Sequence, residues 1–386
     1  MRVVVYYGLG KSGEAAAARL AERGDDVVLV DRALGNEDDL AVLDGAGLFV
    51  KSPGAPPDAP IVRAARERGI PVWSEIELGY TLLPESRFVG VTGTNGKTTT
   101  TALLGEIFRA AGRDVAVAGN IGVPLTSIRA ADWVVCELSS FQLEDVHALA
   151  CEVAVLLNLE PDHLDRYPSY AAYRDAKLRI FERARAKVVP RGLALDGIEF
   201  SADDPLPAEP LLRGAHNREN AAAATAAARA AGIADEAIAA ALLTFAGVPH
   251  RLELVAERGG VRYVNDSKAT NVAAARRALA AYADEPVQLI LGGSLKGEDF
   301  APLAASIGPN VRTVHLIGAA APQLAAALEA REHHVDGTLA HAVEHAAALA
   351  RPGEVVLLSP ACASYDQFTG FEQRGDEFRR LVRTIR

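Results

Sequence analysis

Short, almost uninterrupted apolar runs recur along the chain. They fall at residues 3–7, 27–30, 48–50, 88–91, 133–136, 153–157, 287–291, 314–317 and 355–358, with alanine-rich helical stretches between them. A strand with one face in water alternates apolar and polar residues, whereas a strand apolar at every position has to be covered on both faces. Runs of this kind, separated by helix-forming segments, predict parallel strands joined by helical crossovers. The fold class that follows is α/β.

Two Gly/Pro punctuations divide this pattern. Leu83-Pro84-Glu85-Ser86 precedes the run at 88–91, and Gly247-Val248-Pro249-His250-Arg251 precedes the last third. They predict three domains, at 1–85, 86–248 and 249–386. A length of 386 residues with 49% hydrophobic residues supplies ample core for that number. Residues 202–213 carry Pro205, Pro207 and Pro210 and read as a loop, and 217–231 as an alanine-rich helix stopped by Gly232.

The formal charge of −10 argues against a nucleic-acid or anionic-membrane binder, which needs a basic surface. Cys136, Cys151 and Cys362 form no CxxC and leave an odd count, so a reducing, cytoplasmic setting is expected. The N-terminal run ends at Gly8 and suits a strand, not a signal peptide, and no run reaches ~18 apolar residues, so no membrane span is expected.

The strongest chemical signal is Val91-Thr92-Gly93-Thr94-Asn95-Gly96-Lys97-Thr98-Thr99. A strand enters a Gly-rich turn, and Lys-Thr-Thr opens a helix. Backbone N–H groups there can cradle phosphates, Lys97 can reach the β/γ-phosphates, and Thr98 can meet Mg²⁺. The strict pattern would place its first glycine at Val91; here the glycine is Gly93. Gly8-Leu9-Gly10-Lys11-Ser12-Gly13, with Asp31 after the next strand, satisfies the dinucleotide fingerprint. NAD, another nucleotide or plain helix–sheet packing remain open for it.

Glu137-Leu138-Ser139-Ser140-Phe141-Gln142 follows the run at 133–136, and Asn158 and Asp162-His163 follow the run at 153–157. Polar groups past parallel strand ends lie where ligands bind in open sheets, and Glu137 suits a hard cation. By spacing alone Lys177 is a solvated lysine on an amphipathic helix. In the last third, Asn265-Asp266-Ser267-Lys268, Gly292-Gly293-Ser294-Leu295-Lys296 and Ser359-Pro360-Ala361-Cys362-Ala363-Ser364 make three loops after apolar strands, a plausible binding rim. Cys362 has no base nearby in sequence, so burial at a strand end is expected for it. His341-Ala342-Val343-Glu344-His345 fits a zinc-protease pattern, but reads as a surface helix with Ala342, Val343, Ala346 and Leu349 inward. His333-His334 reads as an exposed pair.

Taken together, these motifs resemble the Mur ligases. Gly93-Thr94-Asn95-Gly96-Lys97-Thr98-Thr99 is similar to the ATP loop of that family and of folylpolyglutamate synthetase. Glu137-Leu138-Ser139-Ser140-Phe141-Gln142-Leu143-Glu144, residues 265–271 and 359–364, and Phe371-Glu372-Gln373-Arg374-Gly375-Asp376-Glu377-Phe378 resemble the members that add D-glutamate to UDP-N-acetylmuramoyl-L-alanine in peptidoglycan precursor synthesis. The resemblance implies an N-terminal Rossmann-like sheet for the UDP end, a central P-loop ATPase sheet and a C-terminal Rossmann-like sheet for the amino acid. It also implies an ATP-dependent ligase acting through an acyl phosphate and a tetrahedral intermediate. Two Mg²⁺ sites and a cytoplasmic monomer are expected.

The resemblance implies the following roles. Lys97 and the loop residues Gly93, Thr94, Asn95, Gly96, Thr98 and Thr99 hold ATP phosphates. Thr98 and Glu137 serve one Mg²⁺; His163 and a carbamylated Lys177 serve a second, which reverses the solvated reading of that lysine. Asn217, Asn220, Arg251 and Asp266 lie around the adenosine. Gly10, Lys11, Ser12, Asp31, Ser52, Pro53 and Gly54 match the uridine diphosphate pocket, and Asn120, Ser139 and Gln142 the nucleotide sugar. His250, Lys268, Thr270, Lys296, Ser364 and Phe371 match the D-glutamate end. The stretch between Lys177 and His216 is short for the family. A ligase for a different amino acid, an NAD-dependent oxidoreductase and a non-catalytic nucleotide switch are the competing readings. The oxidoreductase leaves the Lys97 loop unexplained and the switch leaves the C-terminal third unexplained.

Overall fold

All nine apolar runs become strands in the computed structural model. The structure describes residues 1–385 except Ile121, Leu164, Asp165, Arg213, Lys296, Glu298, Glu329 and Ala330. Lys296, expected at the D-glutamate end, therefore lies outside the described residues. In chain order the strands are β1 Arg2–Tyr6, β2 Asp26–Val30, β3 Ala46–Lys51, β4 Val72–Ser74, β5 Arg87–Thr92, β6 Val115–Gly119, β7 Trp133–Glu137, β8 Val153–Leu156, β9 Ala186–Pro190, β10 Ile198–Phe200, β11 Glu253–Arg258, β12 Val261–Asn265, β13 Val287–Gly292, β14 Val311–Ile317, β15 His333–Gly337 and β16 Val355–Leu358.

They form three sheets, ordered β2-β1-β3-β4, β10-β9-β8-β5-β7-β6 and β11-β12-β16-β13-β14-β15. The first two are parallel throughout. The third departs from the expected parallel sheet at one edge, where β11 runs antiparallel to β12. Gly259 and Gly260 join them with φ of 57° and 76°, a tight hairpin turn that needs no crossover helix. The chain divides into two compact units, Met1–Phe245 and Ala246–Arg386. The first unit holds two sheets and the second holds one.

Burial follows position in the sheet. β13 is buried at all six residues, and β5 at five of its six. Fully burying one Val, Leu or Phe is worth roughly 1.5–3 kcal/mol, so such strands anchor their sheets. Over the second sheet pack helices Lys97–Ala110 and Ala215–Ala230, with Leu104, Ile107 and Phe108 of the first and Ala223, Ala224 and Ala227 of the second fully buried. Alanine leaves no bulk between helix and sheet, which is how so alanine-rich a chain packs closely.

Within the first unit, fully buried Lys51 at the end of β3 reaches Asp145 at 2.6 Å and Glu144 at 3.3 Å, and Arg66 reaches Asp145 at 2.9 Å. These pairs tie the first sheet to the second, and a buried ammonium requires such partners.

Two local expectations need correction. Helix Leu339–Leu349 buries Ala342, Val343 and Ala346, but Leu349 is 41% exposed because it is the final helical residue. His333 and His334 are half-buried on β15, not an exposed pair.

Candidate active site

β5 delivers the chain into the turn at residues 93–96, and helix Lys97–Ala110 starts directly after it. Gly96 sits at φ 82°, and a Cβ there would lie 2.2 Å from Asn220 Oδ1. Only glycine fits both conditions. The same contact places Asn220, expected near adenosine, against the turn. The segment after β8 braces the turn from the other side. Asn158 Oδ1 accepts from Asn95 N at 2.8 Å, and Asn158 Nδ2 donates to Asn95 O at 3.2 Å. Thr94 Oγ1 lies 3.0 Å from Tyr173 OH and accepts from Glu160 N at 3.0 Å. A turn held this way presents its backbone N–H groups in a fixed geometry, as phosphate binding needs.

Lys97 Nζ donates to Gly93 O at 2.9 Å and to Thr94 O at 2.9 Å. Lys177, from helix Tyr170–Leu178, donates to the same Gly93 O at 2.8 Å. It is only 2% exposed, so its solvated reading from spacing is wrong. Burial first, then the Lys97 ammonium, lowers the Lys177 pKa to about 7, against the pull of Asp162 and Glu137. Its Nζ also lies 4.7 Å from the Tyr173 ring centroid.

Glu137 ends β7 beside Val91 of β5, so its carboxylate stands at the mouth of the same turn. It is 2% exposed and accepts from Asn120 Nδ2 at 3.2 Å. A buried carboxylate at this position suits a hard cation with oxygen ligands, and Thr98, also buried, opens the helix that follows the same turn. The His163 ring lies 6.2 Å from the Tyr173 ring and 4.8 Å from that of Phe141. Its φ of 53° is left-handed, a strained conformation for a non-glycine residue.

In the first sheet, Gly10 caps helix Lys11–Glu22, with Lys11 exposed and Ser12 half-buried at its start. Asp31 accepts from Leu9 N at 3.2 Å and Ala33 N at 3.0 Å, tying that turn to the end of β2. A Cβ on Gly13 would lie 2.4 Å from Tyr7 O, so the fingerprint's last glycine serves helix–strand packing. Ser52 Oγ donates to Tyr7 O at 3.2 Å, which sets Ser52, Pro53 and Gly54 beside the same strand end. Ser139 and Gln142 form a capping box at helix Ser140–Leu143. Gln142 Nε2 is buried with no hydrogen-bond partner among the described residues.

In the second unit the three loops expected as a rim do meet, and Arg374 joins them. This fully buried guanidinium donates to Ser267 Oγ and O, Gly292 O, Ala363 O and Cys362 O at 2.9–3.4 Å. Cys362 is fully buried, as expected. Asp266 accepts from Ser359 Oγ at 2.8 Å and Leu252 N at 3.2 Å, and burial pushes its pKa up to about 7. His250 Nδ1 lies 3.0 Å from Asn265 Nδ2, and its ring is 6.2 Å from that of Phe371. Lys268 Nζ is 5.9 Å from the Phe371 ring centroid. Thr270 and Arg251 are half-buried and Ser364 is buried in this unit. Asn217 belongs to the first unit, at the start of the same helix as Asn220.

The family model for the Mur ligase middle domain matches residues 91–195, and that for the Mur ligase glutamate ligase domain matches residues 250–362. A UDP-N-acetylmuramoylalanine--D-glutamate ligase of Anaeromyxobacter dehalogenans is 43% identical, over 98% of this chain and 97% of the relative. The chain belongs to the Mur ligase family. The Myxococcus xanthus Mur ligase of the same name is 42% identical over 99% of this chain and 98% of the relative. The first alignment runs over 448 residues against 386 here, so this Mur ligase is internally shorter than that relative. Among solved structures, the Mur ligase UDP-N-acetylmuramate-alanine ligase MurC of Thermotoga maritima shares the fold with TM-score 0.62 at 18% identity, covering 100% of this chain and 99% of that one. E. coli FolC in complex with DHPP and ADP shares it with TM-score 0.58 at 21% identity, covering 79% and 91%.

Several residues of this Mur ligase escaped the sequence reading. Arg374 was visible only as part of a motif, without a role. Glu160 and Tyr173, which brace the turn at residues 93–96 through Thr94, carry no pattern. Arg166 lies 3.7 Å over the Phe141 ring and donates to Pro53 O and Ala55 O at 3.4 and 3.3 Å, linking the two sheets of the first unit. Its partners are 111 and 113 residues away in sequence, and no local signal reports such a contact.

Proposed function

We propose that this chain joins D-glutamate to the alanyl carboxylate of UDP-N-acetylmuramoyl-L-alanine at the expense of ATP, in peptidoglycan precursor synthesis. The observation that carries the reading is the convergence of Lys97, Lys177 and Glu137 on one Gly-rich turn, in a chain 43% identical to a ligase of that name over nearly its whole length.

The chemistry requires such a site. A carboxylate resists an amine because its carbon is electron-rich and its oxygen leaves poorly. Transfer of the γ-phosphoryl group to the alanyl carboxylate gives an acyl phosphate and ADP. The unprotonated amine of D-glutamate attacks the acyl carbon, a tetrahedral intermediate forms, and phosphate leaves as the amide appears. Two anions meet in the first step, so positive groups have to be held in place beforehand. Lys97 and the turn amides would bind the β/γ-phosphates. Asn217, Asn220, Arg251 and Asp266 would bind the adenosine. Residues of the Gly10, Asp31 and Ser52 loops would hold the uridine diphosphate, with Asn120, Ser139 and the free amide of Gln142 on the sugar. His250, Lys268, Thr270, Lys296, Ser364 and Phe371 would receive D-glutamate.

Thr98 and Glu137 would hold one Mg²⁺, and His163 with Lys177 a second. Bound Mg²⁺ neutralises phosphate charge. Lys177 fits this role as a carbamate. Its amine is substantially neutral near pH 7, and a neutral amine adds CO₂, losing a proton to become an anionic oxygen ligand. The three-domain division at 85/86 and 248/249, a monomeric state and a cytoplasmic site belong to the same reading. No helix among the described residues is long and apolar enough to cross a membrane.

The test is phosphate release from ATP with UDP-N-acetylmuramoyl-L-alanine and one amino acid at a time. Release with D-glutamate alone is expected. Release with L-lysine or diaminopimelate and not with D-glutamate would overturn the substrate assignment.

A further inference from the structure

The second unit gathers three imidazoles and a carboxylate, none of them among the residues assigned above. β14 and β15 pair in parallel with His315 opposite His334. Alternation along β15 then puts Asp336 on the same face as His334. Helix Leu339–Leu349 covers that face and lowers His345 onto it. His315 Nδ1 lies 2.8 Å from Asp336 Oδ2, and His345 Nδ1 lies 2.9 Å from Asp336 Oδ1. The ligand atoms of His315, Asp336 and His345 all fall within 4.8 Å of one another. The His334 ring is 4.3 Å from that of His345.

Proton accounting is tight around His315, whose side chain is wholly buried. Gln288 Nε2 donates to Glu354 Oε2 at 3.2 Å, which turns Gln288 Oε1 toward His315 Nε2 at 3.5 Å. Both ring nitrogens of His315 therefore face oxygen acceptors, and a neutral imidazole has one N–H to offer. With that N–H on Nε2, toward Gln288, Nδ1 turns a lone pair toward a carboxylate. The tautomer with N–H on Nδ1 satisfies Asp336 at 2.8 Å and leaves only the long 3.5 Å contact to Gln288, whereas the tautomer with N–H on Nε2 frees Nδ1 to bind a cation together with Asp336. The Gln288–Glu354 pair is then the outer support that fixes the tautomer of a metal-bound histidine.

We propose that His315, Asp336 and His345 form a binding site for a divalent transition-metal cation of the Zn²⁺ type, with His334 beside them as the nearest donor for a fourth position. Imidazole nitrogen with one carboxylate oxygen selects Zn²⁺-like ions over Mg²⁺. Tetrahedral bonds of ~2.0–2.2 Å would open the two hydrogen-bonded pairs, now 2.8 and 2.9 Å apart, by about half an ångström. The ion ties the edge strand β15 to β14 and to the helix above, so its role is structural. The HxxEH pattern is not this site. His345 takes part with strand partners, while His341, its motif mate, points into solvent.

The test uses the full-length protein, stripped of metal with a chelator and titrated with ZnCl₂ in excess MgCl₂. Wild type is compared with Asp336→Asn, His345→Ala and, as a control, His341→Ala. Wild type and His341→Ala are expected to bind one equivalent of Zn²⁺ that the other two bind at least about tenfold more weakly. The thermal midpoint should rise with Zn²⁺ only in the first pair. Equal stoichiometry, affinity and midpoint shift in all four proteins would overturn the proposal. Should the two ligand variants not fold, Co²⁺ added to wild type decides. Intense visible bands of a four-coordinate nitrogen/oxygen site support the proposal, and their absence overturns it.

Discussion

Lys97 and Lys177 donate to one oxygen, the carbonyl of Gly93, at 2.9 and 2.8 Å. Two ammonium groups so close, one of them buried, repel by several kcal/mol at the effective dielectric of a protein. The pair is comfortable only when one lysine loses its charge or when anions join them. Both happen in the proposed reaction, where ATP phosphates meet Lys97 and Lys177 becomes a carbamate. Lys177→Ala is expected to lower kcat by about 10²–10³, the usual cost of one transition-state contact. Added short carboxylates should restore part of the rate by standing in for the carbamate. Unchanged activity in steady-state assays would refute the role.

Gly96→Ala tests the turn itself. The new Cβ would lie 2.2 Å from Asn220 Oδ1 at a φ of 82°. Strain of this kind costs about 1–3 kcal/mol and moves the loop amides. ATP affinity, measured by calorimetry, should fall by tenfold or more. Affinity equal to wild type would show that the turn does not bind the phosphates.

Arg374→Ala removes the guanidinium that joins the three loops of the second unit. At least four carbonyl or hydroxyl oxygens lose a donor. Each buried group left unsatisfied costs about 1–3 kcal/mol, so a loss of roughly 3 kcal/mol or more in unfolding free energy is expected. The KM for D-glutamate should rise with it, because the loops carrying Lys268 and Ser364 lose their common support. A variant as stable as wild type in urea would contradict this.

Asp266 predicts a pH dependence. Burial raises its pKa in the fold to about 7, against an ordinary value of 3.8. The fold thus prefers the protonated acid. Its stabilising contribution is complete below about pH 4 and is lost as pH rises toward 7. Asp266→Asn should therefore gain stability relative to wild type between pH 4 and pH 7, with no further gain above. Thermal midpoints across that range check it, and a constant difference would contradict it.

The sequence revealed most of the central strands and concealed most of the edges, although the edge strand β2 was legible as the run at 27–30 and the interior strand β9 was not. β5, β13 and β16 are covered on both faces and appear as continuous apolar runs. β4, β6, β10, β11 and β15 lie at sheet edges, are short or half-exposed, and lack that signature. The antiparallel β11 went unseen for the same reason. In the site, Lys97 and Glu137 follow strands and were legible as local pattern. Lys177 was legible only through the family resemblance, because its burial depends on a carbonyl 84 residues away. Arg166, Tyr173 and the His315–Asp336–His345 group arise from contacts between distant segments, which spacing cannot report.

The central claim is D-glutamate ligation through an acyl phosphate, and ¹⁸O in the alanyl carboxylate of the substrate tests it most directly. Phosphorylation of that carboxylate and its displacement by D-glutamate must leave one ¹⁸O in the released phosphate, with ADP and amide formed in equal amounts. Mass spectrometry of the phosphate is expected to show that transfer with D-glutamate present. Amide formed with unlabelled phosphate, or no amide with D-glutamate at all, would contradict the account.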